Sequence, residues 1–286
     1  LRIPNLAIHM NRSVNDEGLK LHKQTELLPL FAQLTQEQLP KLYFMQLLVQ
    51  ATNLDVDQIL SWDLAVYDTQ KGVFWGAANE FYANSQIDNL ASCHAGLQAL
   101  LDEQVLNQSQ DTLVCAFFDH EEVGSESHIG AAGSFLSDCL QRITMALNLD
   151  REDNARALAN SFLISADMAH AYHPNFPNAY DANHKVFVNQ GPVIKSNANR
   201  RYSSESISIA QFIRWCQDAN VPYQHYSHRN DLACGSTIGP LASAKLGIRS
   251  IDIGCPMWAM HSIRESAGVH DHDYLIKVLK QFFLSA

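Results

Sequence analysis

Four groups of side chains, far apart in the chain, could do chemistry together: Asp88, the adjacent pair Glu121-Glu122, Asp167 and His261. Taken singly, each has a structural explanation. Asp88 opens a helix-like segment and could cap it. Glu121-Glu122 could start a solvated helix, where the dipole favours acids. Asp167 could cap the next turn, and His261 could be an ordinary loop imidazole. Taken jointly, they suggest a metal site. Carboxylates that converge in a poorly solvated cleft repel one another, and a cation relieves that repulsion. Carboxylate and imidazole donors suit zinc, with manganese or cobalt as alternatives. A two-metal centre needs a bridging carboxylate, terminal ligands and a base for the bridging water. Glu121 and Glu122 could divide those tasks, one as ligand and the other handling protons.

Other chemistries find less support. After His120-Glu121, the position where a zincin motif requires its second histidine holds Gly124. No G-x-S-x-G elbow, phosphate-binding loop or dinucleotide fingerprint occurs.

The elements that must position these groups can be read from hydrophobic patterning. Residues 1–12 and 61–72 read as strands, and TELLPLFAQL and LPKLYFMQLLVQATNL carry helical spacing, with Pro29 breaking the first. VFWGAANEFYAN is strand-like. From Asp88 onward, strands and helices alternate. IDNLASCHAGLQALLDE, GAAGSFLSDCLQRITMAL, ESISIAQFIRWCQDANV, GSTIGPLASAKLGI and DHDYLIKVLKQFFLSA read as helices. TLVCAFF and SFLISA are continuous apolar runs of the kind found in central strands. PVIKSN, PYQHYSHR and RSIDIGCPMWAMHS supply further strands. The expected fold is α/β, a mixed and mainly parallel central sheet with helices on both faces. Ligands of such sheets bind beyond the carboxyl ends of the strands, and the acids of several segments fall there.

Composition narrows the function classes. Hydrophobic residues make up 47% of 286, enough for a sizeable core. The net charge of −10 offers no basic surplus, so no nucleic-acid partner is expected. No apolar run approaches the length of a membrane span. Six isolated cysteines without a CxxC pair read as reduced thiols, which points to the cytoplasm.

Seven ordered stretches carry a family resemblance: LRIPNLAIHMNR, IDNLASCHAGLQALLD, FFDHEEVGSES, SFLISADMAHAYHPN, GPVIKSNANRRYSS, RNDLACGSTIGP and MHSIRES. The chain resembles the aspartyl aminopeptidases, two-zinc exopeptidases, from Leu1 almost to its last residue. The resemblance implies hydrolysis of N-terminal Asp or Glu from peptides through a metal-bridging water, with two zinc ions per subunit. By position, it makes Asp88 the bridging ligand. Glu122 and His261 would complete one metal site, Asp167 would serve the other, and Glu121 would be the general base. Lys195 would pair with the acidic substrate side chain, and His170 and Tyr202 would contact substrate. His9 would reach a neighbouring subunit's site within a dodecamer.

The resemblance also implies an organisation. Residues 1–78 would be part of a smaller β-rich oligomerisation domain, and 79–286 the catalytic domain. The family's remaining ligand is a histidine in a segment ahead of that domain, and this chain starts at Leu1, after it. The joins near Gly18 and Pro40 look compressed beside the family. Competing readings are a two-metal deacylase, an aminopeptidase of neutral preference, or a non-catalytic assembly protein.

Overall fold

The computed structural model describes residues 1–285. Contacts divide the chain into two units, Leu1–Val66 and Tyr67–Ala286. In the first unit, a 3-10 turn at Ile8–Met10 precedes the short helix α1 (Val14–Glu17). The main element is helix α2 (Pro40–Thr52). Pro40 occupies the start of α2, where its missing N–H costs nothing. Asn53 ends it in the left-handed region, and its N–H is bonded to Val49. A single isolated bridge, Arg2 to Leu30, is the unit's β pairing among the described residues. The strands expected at 1–12 and 61–72, and a helix over TELLPLFAQL, are therefore not formed. Apolar patterning marks surface that wants cover, and a strand also needs a partner. Met45 is this unit's buried residue; Leu1, Leu6, Leu28, Leu30, Leu60 and Leu64 lie exposed.

The second unit opens with the hairpin β1 (Val73–Trp75) and β2 (Phe81–Asn84), then helices α3 (Ile87–Leu100) and α4 (Glu103–Gln108). Helices α5 (Phe135–Ala146) and α6 (Arg151–Asn160) follow. Then come β3 (Phe162–Ala166), β4 (Ala169–His170), β5 (Val193–Ser196), α7 (Ser206–Asp218) and β6 (Gln224–Ser227). The chain continues through α8 (Ile238–Leu246), β7 (Arg249–Gly254), β8 (Pro256–Trp258), β9 (Glu265–Gly268) and α9 (Val269–Leu284).

These strands make two sheets. One has the order β3-β7-β5-β6, parallel except between β7 and β5. The other has the order β1-β2-β9-β8-β4, antiparallel except between β4 and β8. Two chain segments pass from one sheet to the other side by side. Asp167 donates its N–H to Ile253 at 2.9 Å, and Ala169 donates to Cys255 at 2.8 Å. Gly254 lies at this crossing, where a Cβ would stand 1.6 Å from the Asp167 carbonyl oxygen. Only glycine fits there, and the close approach fixes where β3 delivers Asp167.

The main core gathers buried residues of α3, α7, α9 and β7. In α9, the buried residues Asp271, Leu275, Val278, Leu279 and Phe283 recur at helical spacing. Facing them, α3 buries the small residues Ser92, Ala95, Gly96 and Ala99, which lets the two helices pack closely. Burying a side chain such as Leu275 or Val278 stabilises the unit by about 1.5–3 kcal/mol each.

Two strand expectations need correction. TLVCAFF (112–118) forms no ladder, and SFLISA becomes β3 at a sheet edge rather than a central strand. Leu113 still packs on the core, and Cys115 lies against Gly96 of α3. The apolar run thus meets its need for burial through side chains, without backbone pairing.

Candidate metal centre

Asp88 is presented by an irregular entry to α3. Gln86 takes a left-handed φ of 57°, and Asp88 (φ −80°, ψ 112°) and Asn89 are non-helical before the helix becomes regular. No side chain caps this helix start. The Asp88 carboxylate therefore faces elsewhere. Its side chain is 5% exposed, and Oδ2 lies 3.0 Å from Nε2 of His261.

His261 sits in the loop between β8 and β9 with a positive φ of 66°, a region uncommon for L residues. Its Nε2 is also 3.2 Å from Oε1 of Glu122. One donor atom each from Asp88, Glu122 and His261 lies within 4.8 Å of the other two.

Glu122 belongs to a turn-rich segment, not to a helix start. Ser125 N–H bonds to the His120 carbonyl at 2.8 Å, and His120 Nδ1 pairs with Ser127 Oγ at 2.8 Å. Lys245 of α8 donates to the carbonyls of Ala132 and Gly133 and ties the segment's far end down. Glu121 is half-buried beside the exposed Glu122.

Asp167 follows β3 and accepts a hydrogen bond from Nζ of Lys195 at 3.1 Å. Lys195, in β5, is 2% exposed, and its Nζ lies 5.6 Å from the centre of the Tyr202 ring. The charge of Asp167 is also felt at Asp88, whose carboxyl it helps to raise. Tyr202 is buried; desolvation and a bond to Cys234 raise its pKa. The His170 ring stacks edge-on to Tyr226 at 6.2 Å. Its residue surface is open to solvent, yet enough protein surrounds the ring that desolvation, then Lys195 and His228, press its pKa down to about 4. His9 lies exposed in the first unit's 3-10 turn.

Electrostatics show that the donor set suits a cation. Burial pushes the Asp88 carboxyl up to about 8, and the charges of Asp167, Glu122 and Glu265 add to the shift. Glu121 is raised too, first by desolvation, then by Asp167 and Glu122, while Lys195 and His261 oppose this. An acid kept protonated by neighbouring acids is a site where a cation can replace the proton. Two carboxylates and one imidazole are zinc-type donors.

One participant was not anticipated from sequence. Glu265, 2% exposed, accepts the N–H of Asp88 at 3.0 Å and the N–H of His261 at 2.7 Å. The available signal was an acid four residues after a candidate ligand.

A family model described as aminopeptidase I zinc metalloprotease (M18) matches residues 1–283. "Probable M18 family aminopeptidase 2" of Pseudomonas paraeruginosa is 45% identical over 286 residues, covering 99% of this chain and 65% of the relative. The chain thus spans about 65% of the length of such curated relatives. Among solved structures, the cryo-EM structure of the Ape4 and Nbr1 complex matches 99% of this chain and 57% of that one, with a TM-score of 0.90 and 36% identity. The S. cerevisiae mApe1 dodecamer matches 85% of this chain and 54% of that one, with a TM-score of 0.74 and 26% identity. A match along nearly the whole sequence, joined to a cluster of zinc-type donors, leads to one conclusion: the chain belongs to the aminopeptidase I zinc metalloprotease (M18) family.

Proposed function

We propose that this chain supplies the catalytic side chains of a metal-dependent aminopeptidase that removes N-terminal Asp or Glu from peptides. The convergence of Asp88, Glu122 and His261 is the observation that carries the reading. These three would hold one zinc ion. Asp88 and Asp167 would contribute to a second, with manganese or cobalt as possible substitutes. Bound zinc supplies Lewis-acid polarisation of the scissile carbonyl and a water nucleophile usable near neutral pH.

The protein's own groups do the rest. Glu121, half-buried and with its pKa raised, takes a proton from the attacking water and returns it to the leaving amine. Lys195 is a buried cation beside the acids, and Asp167 is its partner at 3.1 Å. A substrate carboxylate would be its second counterion, which favours acidic N-terminal residues. His170 and Tyr202 lie near Lys195 and would contact the peptide.

Self-association is part of the proposal. The related mApe1 structure is a dodecamer, and the first unit of this chain leaves many large apolar side chains uncovered. Residues 1–78 would belong to the oligomerisation domain, 79–286 to the catalytic domain, and His9 would serve a neighbouring subunit. All six cysteines are free, which suits a reducing cytoplasm. Among the described residues, no helix is long and apolar enough to cross a membrane. A hydrolysis screen of Asp-, Glu-, Leu- and acetyl-linked substrates tests the function. Preference for Leu, or for the acetyl group, overturns the specificity.

A further inference from the structure

We propose that Glu265 is a positioning residue that sets the spacing of the two backbones carrying Asp88 and His261; this rests on the metal-centre reading of those side chains. The two residues are 173 positions apart. Nothing in the local sequence of either fixes its distance from the other. Glu265 does so with one planar group: Oε2 accepts the Asp88 N–H and Oε1 the His261 N–H. Its own place is determined by strand register, since it opens β9 directly opposite Asn84, the last residue of β2. The β2–β9 ladder in the middle of the second sheet therefore carries the carboxylate to the start of α3.

The residue type matters. Among the described residues Glu265 makes no salt bridge, and its two buried oxygens are met by these N–H dipoles. A glutamine has the same shape but only one accepting oxygen, and it would turn donor hydrogens toward one of the N–H groups. Both approaches pass through left-handed backbone, at Gln86 and at His261.

The test compares zinc affinity, by competition with a chromophoric chelator, in the unsubstituted chain, in Glu265→Gln and in Asp271→Asn. Asp271 is the control. It is an equally buried carboxylate that accepts two backbone N–H bonds, from Asn189 at 2.5 Å and Gly191 at 2.8 Å, away from the donors. Both substitutions should lower the thermal midpoint. Glu265→Gln should bind zinc about 10–100-fold more weakly, while Asp271→Asn keeps the unsubstituted affinity. Unchanged affinity in Glu265→Gln, or equal losses in both, overturns the positioning role.

If the unsubstituted chain binds no zinc, the metal-centre reading itself fails, a result distinct from either of those. A measurement on the unsubstituted chain covers the case of a variant that does not fold. The amides of Asp88 and His261 should both be protected from hydrogen exchange. Exchange of either at the rate of an open loop refutes the shared carboxylate.

Discussion

Zinc uptake should expel a proton from the chain, and Asp88 sets the pH range in which this happens. In the metal-free chain its carboxyl is pushed up to about 8 by burial and by the acids around it. The sign follows from linkage. A raised pKa in the folded state gives stability that is complete below the ordinary carboxylate range and is lost as pH rises through about 8. The metal-free fold is thus penalised at the pH where zinc binds best, and zinc must displace the proton at any lower pH. With a pKa of about 8, the deprotonated fraction is about 0.09 at pH 7 and about 0.9 at pH 9. Apparent affinity should rise about tenfold across that interval, and binding at pH 7 should release about 0.9 proton. An ordinary carboxylate, ionised throughout, would release none. Calorimetric titrations in two buffers of different ionisation enthalpy measure the release directly. Cadmium, whose bound water is a weaker acid than zinc's, separates the carboxyl proton from one lost by metal-bound water. Affinity that stays flat from pH 7 to 9, with no proton released, would refute the reasoning.

Substituting Glu121→Gln should leave zinc content unchanged and reduce turnover about 10²–10⁴-fold; turnover at the unsubstituted rate removes Glu121 as the base. Lys195→Met should lower kcat/KM about 10–100-fold more for Asp-linked than for Leu-linked substrates, the worth of a hydrogen bond to a charged group. Equal losses on the two substrates would remove Lys195 from specificity. Gly254→Ala forces a Cβ onto the Asp167 carbonyl and should cost about 1–3 kcal/mol in chemical denaturation. An unshifted midpoint contradicts the tight crossing.

Hydrophobic spacing was the legible part of the fold. The spacing predicts α3, α5, α7, α8 and α9 because each has an apolar stripe to bury or partly cover, and the small and large residues of α3 and α9 are complementary. It misses α6, which buries no residue and so has no stripe; the available signal was its capping box, Asp150 with Asp153. TLVCAFF reads as a strand because apolarity reports burial, while pairing depends on a neighbour that sequence does not name. The same divide runs through the site. Asp88, Glu122, Asp167 and His261 can be picked out as acids and an imidazole next to strand and helix ends, and the structure brings three of them together with Asp167 adjacent. The partnership of Lys195 with Asp167 and the double acceptance by Glu265 depend on register between remote strands. No local pattern encodes that register.

The order of the three donors along the chain bears on how the protein matures. Asp88 and Glu122 are made early, but the imidazole arrives 173 positions after Asp88, so contacts of long sequence separation must form before any ion can be gripped, and such contacts form slowly. Until then the acids repel one another without relief. Metal retention by a refolding sample should therefore be a late event, and the moment an ion stops exchanging with a chelator should mark closure of the loop between Asp88 and His261.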